Sequence, residues 1–279
     1  MSPTIIMAAP NGARKTQADH PHLPVTVEQI ITEALACQKA GAAMAHLHVR
    51  DAQQQHVLDA GLYREVIAGI NYEAGSDLLV QITTEAVGRY GQQAQIDCVK
   101  ATEPEAVSVA LREMMPDDGE RSGSGFYHWA NEAGIHLQHI LYDLRDLERF
   151  IEFVRLGLIP VQTPSLLFVL GRYASNNLGE PEELDPFTAA LQKQKSFAPG
   201  PWFTCAFGHL EAACMTRTFQ QGGHARVGFE NNSKLRNGQE AEATSEIVAQ
   251  TRDEILALGK KPASAKEARQ LLGISSGKS

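Results

Sequence analysis

Residues 43–51 read AMAHLHVRD, with His46 and His48 two positions apart inside an apolar run. Side chains alternate across a strand, so two imidazoles at i and i+2 share a face and reach one common point. Neutral imidazole suits a divalent transition metal, and a catalytic zinc takes three protein ligands plus an open position. The third ligand should be an inward-facing histidine or carboxylate on another strand. ARVGFENN, residues 225–232, offers one. There Arg226, Gly228 and Glu230 share a face, with Gly228 leaving room between the other two, while Val227 and Phe229 take the apolar face. The expected metal set is His46, His48 and Glu230. The structural alternatives are core histidines hydrogen-bonded to backbone, and a Glu230 paired with Arg226 or Arg50. His136 and His139 are the competing histidines. Their spacing of three places them on opposite faces of a strand, so at least one reads as a polar core or rim residue.

Such a set requires strands that end side by side. Eight short apolar runs fit: TIIMAAP (4–10), AMAHLHV (43–49), LLVQITT (78–84), AVSVAL (106–111), HLQHILY (136–142), SLLFVLG (165–171), WFTCAFG (202–208) and ARVGFEN (225–231). Most are rich in β-branched or aromatic residues and bounded by Gly, Pro, Asn or Asp. Amphipathic helices lie between them. In TVEQIITEALACQKAG, Thr26 and Gln29 form a capping box, Gly41 supplies the stop, and Ile30, Ile31, Ala34, Leu35 and Gln38 approximate one face. DLRDLERFIEFVRLG and ATSEIVAQTRDEILALG are similar, and SAKEARQLLG, after Pro262, should dock on the outside. Residues 171–201 read as a long loop with a partial helix. Eight strands, each followed by a helix or crossover, in roughly 250 residues indicate a (β/α)₈ TIM barrel. A doubly wound sheet fits less well, because no Gly-x-Gly-x-x-Gly follows the first strand. With no linker or composition break, residues 1–279 are expected to form one domain. In the barrel, Leu47 and Val49 would face the helices, and the histidines would point inward near the strand's C-terminal end, where barrels of this kind carry their active sites.

The formal charge of −8 argues against a nucleic-acid partner. Cys37, Cys98, Cys205 and Cys214 form no Cys-x-x-Cys pair and read as buried, reduced thiols. The N-terminus has no basic leader, and no run approaches the ~18 apolar residues of a membrane span. The expectation is a soluble cytoplasmic protein.

APNGARKT, LPVTVEQI, AGAAMAHLHVRD, QHILYD and GGHARVGFENN, in order along nearly the whole chain, resemble the β-keto acid cleavage enzymes, whose type member acts on 3-keto-5-aminohexanoate. The most specific pieces are HLHVRD and RVGFEN. The resemblance implies a zinc-bearing (β/α)₈ homotetramer that converts a β-keto acid and acetyl-CoA into a new CoA ester and acetoacetate. It implies His46, His48 and Glu230 as zinc ligands, Arg226 as a catalytic cation, and Thr83 in the place of a serine hydroxyl after the third strand.

Four departures stand out. Where the family carries an Asp tied to proton abstraction, this chain has Asn231, which cannot accept a proton at neutral pH. The family's STGG reads TTEA here, which loses a glycine turn and introduces Glu85. An acidic residue that meets the substrate amine in the type enzyme is replaced by Arg14, and LREMMPDD stands where a small turn is usual. The expected catalytic residues are therefore Arg226, Thr83, Asn231 and Glu85; Asn11, Arg14 and Ser108 are the expected substrate contacts. Zinc would act as a Lewis acid on the enolate formed at C2. The base would be Glu85 or a metal-bound hydroxide. An arginine fork at position 14 suits a distal carboxylate or a neutral group better than an amine. The rivals are a metal-dependent hydrolase or aldolase-type lyase on the same barrel, and a metal-binding barrel without turnover. Cupins, which also use His-x-His with Glu, are all-β and excluded by the helices.

Overall fold

The computed structural model describes residues 3–172 and 176–274. The chain opens with β1 (Ile6–Ala8), α1 (Val27–Ala40) and β2 (Met44–Leu47), then a short pair, β3 (Val49–Arg50) and β4 (His56–Val57). It continues through α2 (Ala60–Ala74), β5 (Leu79–Thr83), α3 (Gln92–Thr102), β6 (Ala106–Ala110), α4 (Leu111–Met114), α5 (Glu120–Glu132), β7 (His136–Leu141) and α6 (Leu144–Arg155). The last part comprises β8 (Ser165–Leu170), α7 (Leu184–Lys193), β9 (Trp202–Ala206), α8 (Glu211–Gln220), β10 (His224–Val227), α9 (Thr244–Ala257) and α10 (Ala265–Leu272). Eight parallel strands close in the order β1, β2, β5, β6, β7, β8, β9, β10 and back to β1. The (β/α)₈ barrel expected from the sequence is the observed fold.

Two apolar layers follow from strand alternation. Met7, Met44, Leu79, Ala106, Leu167 and Phe203 fill the barrel interior. Leu47, Val80, Val107, Phe168 and Val227 face the helices. Helix α1 forms where its caps place it: Thr26 accepts from Gln29 N at 3.2 Å, and Gln29 Oε1 accepts from Thr26 N at 3.1 Å. Its buried stripe is Ile30, Ala34 and Cys37, so Cys37 rather than Gln38 completes the face.

Some boundaries move. The second predicted strand breaks at His48, because Val49 and Arg50 leave the barrel to pair antiparallel with Val57 and His56. The eighth ends at Val227. The partial helix expected within residues 171–201 is a 3₁₀ turn followed by α7, over residues 181–193. Helix α10 does not dock on the outside. Ala268 and Leu272 join the interior layer with Ile5, Met7 and Leu79, and α10 plugs the N-terminal end of the barrel. His136 and His139 fall on opposite faces of β7 as expected, and His139 lies between Tyr127 and Phe150, at ring-centroid distances of 5.5 and 4.6 Å. All four cysteines are buried and free. Among the described residues, no helix is long and apolar enough to cross a membrane.

Candidate active site

The C-terminal ends of the barrel strands open into a cavity of about 480 Å³. His46, the inward residue near the end of β2, lies with its Nε2 3.1 Å from His48 Nε2. Glu230 turns a different oxygen to each ring: Oε2 lies 3.6 Å from His46 Nε2 and Oε1 lies 3.6 Å from His48 Nε2. Glu230 Oε2 and His48 Nδ1 are buried without a hydrogen-bond partner among the described residues. Burial, reinforced by the nearby Arg226, holds the His46 imidazole well below its ordinary range and therefore neutral. Burial also opposes ionisation of Glu230, but the Arg226 guanidinium overcomes it and keeps the carboxyl well below its usual range. Two imidazole nitrogens and one carboxylate, all within 4.8 Å of one another, make a donor set that fits a divalent zinc-type ion.

Glu230 reaches this point differently from the strand alternation expected. It sits in a turn after β10, where Asn231 N and Asn232 N both donate to Gly228 O at 2.9 Å. Gly228 does not serve as a spacer between Arg226 and Glu230. It has φ +135°, and a Cβ there would lie 2.6 Å from both Ala9 O and Thr244 Cγ2. Glu211, on α8, accepts from Gly228 N at 3.3 Å and from Asn232 Nδ2 at 3.2 Å, bracing the turn. Burial pushes its carboxyl up to about 8.

Arg226 is 4% exposed and lies against Glu230, with Nη2 3.4 Å from Oε1. Its Nε and Nη1 have no partner among the described residues, and neither atom of the Asn231 amide has one. Both residues line the cavity, as do Thr83 and Glu85. Thr83 Oγ1 accepts from Glu85 N at 3.0 Å. The Glu85 carboxylate lies 3.7 Å from Arg14 Nε and 3.6 Å from Arg172 Nη2. Asn11 also lines the cavity, but its amide is occupied: Nδ2 donates to Pro24 O and His48 O, and Oδ1 accepts from His48 N. It braces a metal-set residue rather than standing free for substrate. Ser108, buried beside Thr83, is not brought to the cavity wall. Arg50 leaves Glu230 to Arg226 and clamps the carbonyls of Gly12, Lys15 and Gln54.

Sequence reasoning missed Lys15, Arg172, Lys234, Gln81 and Glu211. Only Gln81 carried a readable signal, a polar side chain at an inward position of an apolar strand. Five cationic side chains, Arg14, Lys15, Arg172, Arg226 and Lys234, line the cavity with two carboxylates, Glu85 and Glu230, an excess of positive charge in a chain of net charge −8. The field inside therefore favours anions.

A closed parallel barrel whose C-terminal mouth gathers a His-His-Glu cluster able to hold a metal ion and the unpaired donors of Arg226 is the frame of a (β/α)₈ barrel enzyme. The chain belongs to the β-keto acid cleavage enzyme family, whose model matches residues 3–274. A 3-keto-5-aminohexanoate cleavage enzyme of Acetoanaerobium sticklandii is 27% identical over 281 residues, covering 99% of this chain and 100% of its own. A 3-oxoadipate:acetyl-CoA acetyltransferase of Cupriavidus necator is 24% identical, over 98% of this chain and 96% of its own. ObcA in complex with oxaloacetate superposes with a TM-score of 0.77 at 17% identity, over 91% of this chain and 68% of ObcA, a likeness of fold.

Proposed function

We propose that this enzyme exchanges acyl groups between a β-keto acid and acetyl-CoA, releasing acetoacetate and a new CoA ester. The observation that carries the reading is the meeting, in one cavity, of the His46–His48–Glu230 donor set with the unpartnered donors of Arg226. A zinc ion held by His46, His48 and Glu230 would supply Lewis acidity to the keto and carboxylate oxygens of the substrate. Glu85 takes the C2 proton: it is the other carboxylate on the wall, and among the described residues no donor hydrogen-bonds to its side chain. Arg226, with Nε and Nη1 free, and the Asn231 amide hold the negative charge that develops on oxygen. Thr83 contributes a hydroxyl on the same wall. The enolate carbon then attacks the acetyl thioester carbon, forming a C–C bond and expelling the CoA thiolate. The thiolate adds to the original keto carbon, and the bond from that carbon to C2 breaks. The products are the new CoA ester and, after C2 regains a proton, acetoacetate.

Arg14 and Arg172 sit at the end of the cavity beside Glu85, which favours a keto acid whose far end is anionic or neutral. Ile140, Val169 and Phe207 line the same cavity and suit a short hydrocarbon spacer. The name of the Cupriavidus necator relative, with its 3-oxoadipate, agrees with a diacid.

The test is a paired measurement of bound metal and of acetoacetate release across β-keto acids with acetyl-CoA. About one divalent ion per chain and release that requires both substrates are expected. Ester or amide hydrolysis without CoA would point to the hydrolase reading, and tight metal binding with no turnover across the panel would mean a barrel that has lost its chemistry.

A further inference from the structure

The barrel interior is apolar over most of its length, yet a polar file crosses it. Gln81 on β5, Gln138 on β7 and Ser165 on β8 are all 0–1% exposed. His46 Nδ1 lies 2.8 Å from Gln81 Oε1. Gln81 Nε2 donates to Gln138 Oε1 at 3.4 Å, and Gln138 Nε2 donates to Ser165 Oγ at 3.4 Å.

In the observed arrangement every donor in the file points away from His46. A carboxamide oxygen only accepts, so His46 Nδ1 must carry the ring proton and Nε2 must be the lone-pair atom. That Nε2 is the atom facing His48 and Glu230. A flipped Gln81 would turn its NH₂ toward Nδ1 and demand the opposite tautomer, with a proton where the donor set needs a lone pair. A flip of Gln81 alone is opposed by Gln138, whose oxygen would then meet the Gln81 oxygen; the whole file reverses only if Gln138 flips as well and the Ser165 hydroxyl donates to it. His48 is held by another device: Asn11 grips its backbone, and its ring Nδ1 has no partner among the described residues.

We propose that Gln81, oriented by Gln138 behind it, is a positioning residue that fixes the tautomer and ring plane of His46 and thereby sets the zinc affinity of the His46–His48–Glu230 set. The proposal rests on the metal reading above, and the experiment separates the two. Zinc dissociation constants are measured by chelator competition on the wild type and on Gln81→Leu, Gln81→Glu and Gln138→Leu. The His46 tautomer is read by ¹⁵N NMR of the metal-free protein. Gln81→Leu should weaken zinc binding by roughly 10- to 100-fold, in line with the loss of a partner behind a ligating histidine. Gln138→Leu should weaken it less, and Gln81→Glu, which keeps the acceptor, should restore it. The metal-free wild type should show the Nδ1–H tautomer. Wild-type affinity in both leucine variants, or an Nε2–H tautomer in the wild type, overturns the proposal. A wild type that binds no zinc overturns the metal reading instead, and the tautomer then decides the role of Gln81 alone. Should Gln81→Leu fail to fold, Gln138→Leu, one residue removed from the ligand, carries the same decision.

Discussion

Gly12 lies against the side chain of Glu230: a Cβ at Gly12 would fall 2.5 Å from Glu230 Cγ, and its φ is +63°. Both facts require glycine, one for conformation and one for space. Gly12→Ala must either push the carboxylate away from the two imidazoles or strain the loop after β1. The left-handed backbone alone costs on the order of 1–2 kcal/mol with a side chain. Zinc affinity, measured by chelator competition, should fall by about tenfold or more, as when a ligand's support is lost. Unchanged affinity would show that Glu230 is not held where the cluster needs it.

Glu230→Gln tests the cluster itself. The substitution keeps the shape and removes the charge that Arg226 stabilises. Bound metal should drop well below one per chain. Acetoacetate release should fall on the order of 10²–10³-fold, equivalent to several kcal/mol of Lewis-acid stabilisation. Full metal occupancy with full activity would mean that the ion, if one binds, lies elsewhere.

The features that could be read in advance were those governed by local periodicity. His46 and Leu47 announce a strand with two faces, though the alternation carried on through Val49 hides the break at His48, and Thr26, Gln29 and Gly41 announce a helix with its ends. What resisted reading depends on tertiary approach. The turn that delivers Glu230 hinges on the proximity of Gly228 to Ala9 and Thr244, residues distant or unrelated in the local pattern. Arg172 reaches Glu85 from a segment with no periodicity. Helix α10 looks like a surface helix until its Ala268 and Leu272 meet the open end of the barrel.

Glu85→Gln separates proton abstraction from the rest of the cycle. In deuterated water the C2 hydrogens of a β-keto acid should exchange in the wild type without acetyl-CoA. Loss of a positioned base should slow that exchange by about 10²–10⁴-fold while leaving bound metal unchanged. Exchange at the wild-type rate would move the base to another group and leave Glu85 as the counter-charge of Arg14 and Arg172.

Arg14→Glu addresses the far end of the substrate. Arg14 is more exposed than Arg172, with 59% against 19% of its side chain accessible, so the exchange perturbs little packing. A charge-assisted hydrogen bond is worth roughly 1.5–3 kcal/mol, so the kcat/KM ratio of a keto diacid to an amino keto acid should fall by at least about 10-fold. An unchanged ratio would place Arg14 in solvent or against the CoA phosphates.

The buried histidines away from the site give the fold an acid limit. Burial pushes His139 down to about 3 and His136 to about 4, and burial with nearby Lys260 pushes His224 to about 4. Their unfolded values lie near 6.5. Below that value the unfolded chain binds protons that the folded chain refuses, so stability is full above about pH 6.5 and falls as the pH drops toward the folded values. Each such histidine removes about 1.4 kcal/mol per pH unit in that window. His139 isolates one share of the effect: its ring lies between Tyr127 and Phe150, and its Nδ1 has no partner among the described residues. His139→Phe keeps an aromatic ring there and removes the titration. Urea unfolding at about pH 7.5 and 5.5 should show the variant losing about 1.4 kcal/mol less stability than the wild type between the two conditions. Equal losses in the two proteins would mean that His139 is already protonated in the folded chain or exposed to water.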